Sequence, residues 1–250
     1  MSFDERQPNI VAIIEARMTS SRLPGKHLFL ASGKPMLQHL IGRLKRVSLI
    51  NCIVIATTVN VADDVLVEFA ESLGVEIYRG SEQDVMGRVV EAGEKFAADV
   101  VCEVTGDCPI IDIELVEQVI KTYLINNAAY VNNGRNGLPD GMGAQVFSYS
   151  VLKQSAAMTT KPLDREHVTL HIKRHPELFP AIYLSASRTT YWPELAVTLD
   201  ELDDYVLLKR IIEHFGETNQ YFSCEEVMQL LRKNPDWLEI NEHVKRKGAT

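Results

Sequence analysis

The chain has 250 residues, 46% hydrophobic and 24% charged, the composition of a globular protein with room for one large α/β domain or two small ones. Its formal net charge of −8 excludes a bulk nucleic-acid binder, which presents a basic surface, but not a small anionic ligand held by a local group of cations. No apolar run reaches the roughly 20 residues that cross a bilayer. Met1 to Asn9 also lacks the apolar stretch of a secretory signal, so a cytoplasmic protein without a membrane partner is expected.

The first strong element is the apolar run Ile10–Ile14, read as a buried parallel strand. Further strands are expected at Ile53–Ala56, Val75–Tyr78 and Val100–Val104, with amphipathic helices between them at Pro35–Val47, Ala62–Leu73 and Gln83–Ala97. Asp112 suits the N-cap of a helix over Ile113–Asn126. This βα rhythm predicts a Rossmann-like, doubly wound, mostly parallel sheet with helices on both faces. Tyr130 to Glu194 breaks the rhythm. Asn132–Gly141 reads as a turn-rich loop, followed by a strand at Ala144–Tyr149, a helix at Asp164–Arg174 and a strand at Ala181–Ala186. The rhythm resumes with a strand at Ala196–Leu199 and a helix from Glu201 to Phe215, whose expected apolar stripe is Leu202, Tyr205, Val206, Leu208, Ile211, Ile212 and Phe215. A last helix is expected at Glu225–Arg232. One domain over residues 1–250, with a mid-chain excursion over about 130–194, is the simplest division. Cys52, Cys102, Cys108 and Cys224 show no C-x-x-C spacing and read as reduced thiols.

The chemistry begins right after the first strand. Arg17, Arg22 and Lys26 lie within ten residues, among the hydroxyls of Thr19, Ser20 and Ser21 and the turn Leu23-Pro24-Gly25. In open α/β sheets the loop at the carboxyl end of a strand is where ligands bind. Three cations there suit a polyphosphate, with backbone N–H groups completing an anion nest. Neither a Walker loop nor a G-x-G-x-x-G turn is present. Asp107, in Thr105-Gly106-Asp107-Cys108-Pro109, ends a buried strand on the same edge. It either caps the turn before Pro109 or holds a cation that bridges to the phosphates, Mg²⁺ being the natural one. Asp200 ends another short apolar run. It is either the N-cap of the helix that follows or a second carboxylate of a metal-assisted nucleotidyl-transfer site.

The ordered set A-R-M-T-S-S-R-L-P-G-K, G-D-C-P and L-D-E-L-D-D resembles the cytidylyltransferase family that activates acidic sugars as CMP-sugars, such as the CMP-Kdo and CMP-sialic acid synthetases. It is most similar to the branch called spore coat polysaccharide biosynthesis protein F. Ile55-Ala56-Thr57-Thr58, the run Arg79–Arg88 and Arg165-Glu166-His167-Val168-Thr169 extend the likeness over roughly residues 9 to 215. The resemblance implies a nucleotide-diphospho-sugar transferase fold and Mg²⁺-dependent transfer of CMP from CTP to an acidic sugar, releasing pyrophosphate. Carried over by position, Ala16, Arg17, Met18, Thr19, Ser20, Arg22, Lys26, Thr57, Arg88 and Asp107 would line the nucleotide, with Arg17 and Lys26 on the triphosphate. Asp107 and Asp200 would hold Mg²⁺. Arg88, Gln145, Arg165 and His167 would face the acceptor, and the mid-chain excursion would carry a homodimer contact.

One departure concerns the acceptor. The branch pattern G-L-D-V-E-V-F has two acidic positions where this chain reads Gly141-Met142-Gly143-Ala144-Gln145-Val146-Phe147. Gln145 both donates and accepts, as a hydroxyl- or carboxylate-bearing sugar requires. Two other readings compete: transfer of uridylyl or another nucleotidyl group to a sugar 1-phosphate, and a non-catalytic nucleotide- or sugar-binding module.

Overall fold

The computed structural model describes residues 6–246; the first five residues and the last four of the expected 1–250 domain lie outside it. In chain order the elements begin with β1 (Ile10–Glu15), a small antiparallel pair of β2 (Leu30–Ala31) and β3 (Lys34–Pro35), and α1 (Met36–Leu44). They continue with β4 (Cys52–Thr58), α2 (Asp64–Leu73), β5 (Glu76–Gly80), α3 (Val85–Lys95), β6 (Val100–Thr105) and α4 (Ile113–Ile125). After these come β7 (Tyr130–Asn136), β8 (Gln145–Ser148), α5 (Tyr149–Met158), α6 (Pro162–Glu166) and α7 (Leu170–Arg174). The chain closes with β9 (Ala181–Ser185), α8 (Leu202–Phe215) and α9 (Cys224–Lys233).

Seven strands form one sheet in the order β5-β4-β1-β6-β8-β7-β9. Only β8 runs against its neighbours, so the expected mostly parallel, doubly wound sheet is what the chain forms. Period-two alternation along β1 splits its apolar run between two cores. Ala12 and Ile14 face α1, α2 and α4, through Leu37, Leu40, Leu66, Ala70, Val116 and Ile120. Val11 and Ile13 face α3 and α5, through Met86, Val89, Ala92 and Leu152. A third core joins α8 and α9 to Leu138, Met142, Val197 and Leu199.

Local chemistry explains most helix starts. Asp112 caps α4 as expected, its side chain accepting the Leu115 N–H at 2.9 Å, and Asp84 caps α3 through the Gly87 N–H at 2.8 Å. Four expectations fail, each because pairing or packing overrides local propensity. Asn132–Gly141 is not a loop throughout: residues 130–136 pair with β8 and β9 as β7, polar side chains notwithstanding. Ala196–Leu199 carries one isolated β-bridge, Asp140 to Ala196, rather than forming a strand. Asp164–Arg174 is two short helices broken at His167–Thr169. On α8 the buried face is Leu207, Leu208, Ile211 and Ile212, while Leu202 and Val206 are exposed. Helix α5 was not anticipated. The four thiols are free, and burial pushes those of Cys102 and Cys224 up to about 12.

Candidate active site

Strand β1 has β4 on one side and β6 on the other, so the connections leaving it diverge and open a crevice at its carboxyl end. The register sets Glu15 beside Ala56 and Thr105. The loop 16–26 leaves from this edge. It folds back on itself through Gly25, whose N–H bonds Met18 O at 2.9 Å and whose φ of 73° is the left-handed conformation that glycine adopts at no cost. The Met18 N–H donates to Asp63, a buried carboxylate that also ties Thr58.

Tertiary structure brings the two aspartates onto the same cation. The Leu199 N–H donates to Asp107 O at 2.8 Å, which draws the 196–200 segment against the loop after β6. Lys26, 7% exposed, then reaches Leu199 O at 2.5 Å, Asp107 Oδ2 at 3.3 Å and Asp200 Oδ1 at 3.4 Å. Arg22 pairs with the same Asp200 oxygen at 2.6 Å, and Arg17 pairs with Glu82 at 2.6 Å. Glu82 also collects Thr19 and Asn60. All three loop cations are therefore neutralised by carboxylates. Burial by itself would raise the Asp107 carboxyl, but the Lys26 charge, the Thr105 hydroxyl and His27 together outweigh it and hold the group below the usual carboxylate value.

Asp200 is not the N-cap of α8. Glu201 takes that position, and Asp204 Oδ2 accepts the N–H groups of Asp200 at 3.1 Å and Glu201 at 2.9 Å. The side chain of Asp200 is thereby free of the helix start, and its Oδ1 faces Lys26 and Arg22. Asp140 also stands within reach of this cluster. The protein packed around its carboxyl raises it above the ordinary value, and Asp107 and Asp200 add to the shift, although the residue as a whole is exposed to solvent.

Gly106 fixes how closely the two loops approach. A Cβ there would lie 2.7 Å from Glu15 O and 2.9 Å from the His27 ring. His27 is buried, with Nδ1 donating to Gly106 O at 3.1 Å. Burial first, and then the Lys26 charge, lowers its imidazole to about 4. An unfolded imidazole titrates near 6.5. Between those values the unfolded chain binds a proton that folded His27 refuses, so stability falls as pH falls. A His27→Gln variant is expected to lose up to about 3 kcal/mol less stability than the native chain between pH 7 and pH 4. Denaturant unfolding at the two pH values checks this; equal losses in both proteins would contradict it.

A second polar cluster occupies the α3–α7 face of the sheet toward the same edge. Glu15, Glu103 and Gln145 come from β1, β6 and β8, Tyr130 and Asn132 from β7, and Thr169 from the break before α7. Gln145 Oε1 accepts the hydroxyls of Tyr130 and of Thr169, the latter at 2.7 Å, and Asn132 Nδ2 donates to the Tyr130 hydroxyl at 2.9 Å. Burial, with each carboxylate acting on its neighbour, raises Glu15 well above the usual range, and burial raises Glu103 as well. Arg88 is 2% exposed rather than a helix-surface charge, and its Nη1 donates to Ser81 O.

Six buried side-chain polar atoms among the described residues have no protein partner. Five of them, on Glu15, Arg22, Thr57, Arg88 and Glu103, surround this edge of the sheet. Such atoms are rare in native interiors, and their gathering in one place marks a surface shaped for a polar ligand.

Arg165 and His167, two residues expected at the acceptor, are placed as follows. Arg165 is held by Asp84, with Nε at 2.8 Å, and by Ala156 O at 3.1 Å. His167 lies at the break between α6 and α7, its backbone bonded to Leu163 and Leu170. Glu15, Glu103, Tyr130, Asp140 and Thr169 join the site beyond the candidate residues that the sequence supplies. The signal for two of them was visible, because Glu15 and Glu103 each put a charge into an otherwise apolar strand.

A doubly wound sheet whose crevice gathers three loop cations and two facing aspartates defines a nucleotidyltransferase. The cytidylyltransferase family profile matches residues 11–233, and the chain belongs to that family. An uncharacterized protein of Methanocaldococcus jannaschii is 33% identical, with 96% of this chain and 97% of that one covered. The spore coat polysaccharide biosynthesis protein SpsF of Bacillus subtilis is 31% identical, with 91% and 96% covered. A solved cytidylyltransferase from Leptospira borgpetersenii superposes with a TM-score of 0.85 at 26% identity, covering 97% of this chain and 99% of the other.

Proposed function

We propose that this chain transfers CMP from CTP to an acidic sugar of the ulosonic acid type, for surface polysaccharide or glycan synthesis, with Mg²⁺ required and pyrophosphate released. The observation that carries this reading is the buried Lys26 ammonium set between Asp107 and Asp200, with Arg22 on the same Asp200 oxygen. Phosphates can recruit these two cations only if something else neutralises the aspartates. A divalent cation does so, and hard carboxylate oxygens suit Mg²⁺. Among the described residues no group of three or more His, Cys, Asp or Glu side chains is assembled for a metal. Two aspartates completed by triphosphate oxygens and water match the way Mg²⁺ binds in nucleotide sites.

In this reading Asp107 and Asp200 would hold the ion, which when bound would supply Lewis-acid charge neutralisation at the reacting phosphate. Lys26 and Arg22 swing from carboxylate to phosphate and stabilise the departing pyrophosphate, and Arg17 leaves Glu82 for the triphosphate. The acceptor hydroxyl oxygen forms the new bond to the α-phosphorus in line with the breaking bond to the β-phosphate oxygen. Positioning and electrostatics provide the acceleration, and no covalent enzyme intermediate is needed. Because Tyr130 and Thr169 occupy Gln145 Oε1, the amide presents Nε2 as a donor, as a carboxylate or hydroxyl acceptor calls for. Names of relatives support the same chemistry. A 3-deoxy-manno-octulosonate cytidylyltransferase of Pelobacter propionicus is 38% identical over 119 residues, about half of each chain.

The test is pyrophosphate release with Mg²⁺, each of CTP, UTP, ATP and GTP, and a panel of 3-deoxy-2-ulosonic acids. CTP with one such acid is expected to exceed every other nucleotide by at least about a hundredfold. Preference for UTP with a sugar 1-phosphate would overturn the reading, as would CTP binding without release against every acid. We further infer a cytoplasmic homodimer; light scattering of the purified chain checks the dimer, and a monomer would overturn it.

A further inference from the structure

The chain beyond α9 returns to the candidate site. It makes a 3-10 turn over Pro235–Ile240 against α8, and then Asn241 donates its side-chain amide to Ala196 O at 3.1 Å and to Asp204 Oδ1 at 2.8 Å. Arg246 closes this segment. Its Nη2 lies 2.6 Å from Asp204 Oδ1 and its Nη1 2.9 Å from Asp204 Oδ2, a forked pair on a carboxylate with no exposed surface. The same Nη1 is 3.5 Å from Thr198 Oγ1 and 3.7 Å from Asp200 Oδ2.

We infer that Arg246 is a positioning residue for Asp200, acting through Asp204 and directly on the far oxygen of Asp200. This rests on the metal- and phosphate-site role proposed for Asp200.

Asp204 Oδ2 holds the N–H groups of both Asp200 and Glu201, so whatever fixes Asp204 fixes the backbone that carries Asp200. Arg246 donates to both Asp204 oxygens and Asn241 adds a third donor on Oδ1, so the carboxylate that accepts these N–H groups is held from the opposite side. The two oxygens of Asp200 serve different sides. Oδ1 carries Arg22 and Lys26, the cations that face the phosphates, whereas Oδ2 has Arg246 and the Thr198 hydroxyl, the latter at 3.4 Å. When the loop cations leave Oδ1 for a triphosphate, Arg246 still pins Oδ2, and Oδ1 stays aimed at the site. Outer contacts of this kind orient a ligating carboxylate. Arg246 lies beyond residues 11–233, the span that the family profile matches.

The test compares the full chain with Arg246→Ala and Arg246→Lys. It reads hydrogen exchange of the Asp200 and Glu201 amides without ligand, and the Mg²⁺ concentration giving half-maximal pyrophosphate release. Arg246→Ala is expected to speed exchange at both amides by at least about tenfold and to raise the half-saturating Mg²⁺ by roughly tenfold, with the acceptor KM unchanged. Arg246→Lys should fall between, because an ammonium cannot fork across both oxygens. A lowered Tm with native exchange at the two amides and native Mg²⁺ dependence would overturn the inference and leave Arg246 a plain structural tie. If Arg246→Ala loses its fold, Arg246→Lys decides, and native exchange and Mg²⁺ dependence in it are the overturning result. Failure of the proposed function is distinguishable, since it would appear as a native chain indifferent to Mg²⁺ or an Asp200→Asn chain with full activity. The amide exchange then still reports whether Arg246 holds the Asp200 backbone.

Discussion

Asp107→Asn and Asp200→Asn should each lower the rate of pyrophosphate release by roughly a thousandfold, the equivalent of about 4 kcal/mol of transition-state stabilisation. The amide keeps the shape and one acceptor oxygen, so the loops that meet through the Leu199–Asp107 backbone bond should stay joined. What it removes is the negative charge that faces Lys26 at 3.3 and 3.4 Å. Without ligand this relieves the ammonium of a partner. In the loaded protein it takes away half of the carboxylate charge available to a divalent ion. The loss should therefore fall on kcat and on Mg²⁺ dependence, while the Tm moves by only a few degrees. Steady-state pyrophosphate assays over a range of Mg²⁺, with a thermal melt as control, make the measurement. Near-native turnover in both variants would sink the assignment of the two aspartates.

The largest effect on stability belongs to Arg43, a residue of α1 that is 1% exposed. Its Nη1 donates to Phe222 O at 2.9 Å and Ile111 O at 3.3 Å, and its Nη2 to Gln220 O at 3.2 Å. The guanidinium lies 4.2 Å from the centre of the Phe222 ring. Burial lowers its pKa to about 10, so it remains charged at neutral pH, with Asp112 as the first of the charges that favour this. Asp112 in turn caps α4 and accepts the Cys224 N–H at 2.6 Å, so one cation ties together α1, the start of α4 and the entry to α9. Arg43→Met fills much of the same volume but strips the donor from three carbonyls. It is expected to cost about 3–5 kcal/mol, or a fall in Tm on the order of 10 °C for a chain of this size. Arg43→Lys should lie between, since an ammonium cannot reach all three carbonyls. A melt within 2 °C of native for Arg43→Met would show that the carbonyls find other partners.

Much of the site was written locally. The run Ile10–Ile14, its cationic loop and the aspartates at the ends of two apolar segments each announce themselves within about ten residues. A buried parallel strand must be apolar on both faces, and the loop that follows it is where charge can be placed. The cap at Asp112 and the break at Gly25 are local as well, because one side chain or one φ angle settles them. The order of these pieces was enough to carry a family resemblance.

Other features depend on partners far away in sequence. Tyr130–Asn136 has the composition of a turn and becomes a strand because β8 and β9 satisfy its backbone on both sides. Ala196–Leu199 has the composition of a strand and stays single-bridged, its apolar side chains going to the α8–α9 core instead. No local pattern shows that Lys26 bridges aspartates 81 and 174 residues away, that Arg165 serves Asp84, or that Arg246 reaches back to Asp204. The sequence by itself determined the parallel strands β1, β4, β5 and β6, the cationic loop and the two aspartates, since hydrophobic periodicity and charge placement act over one element at a time. Only the tertiary structure decided which cation faces which carboxylate, because burial and long-range backbone pairing choose among partners that composition leaves equal.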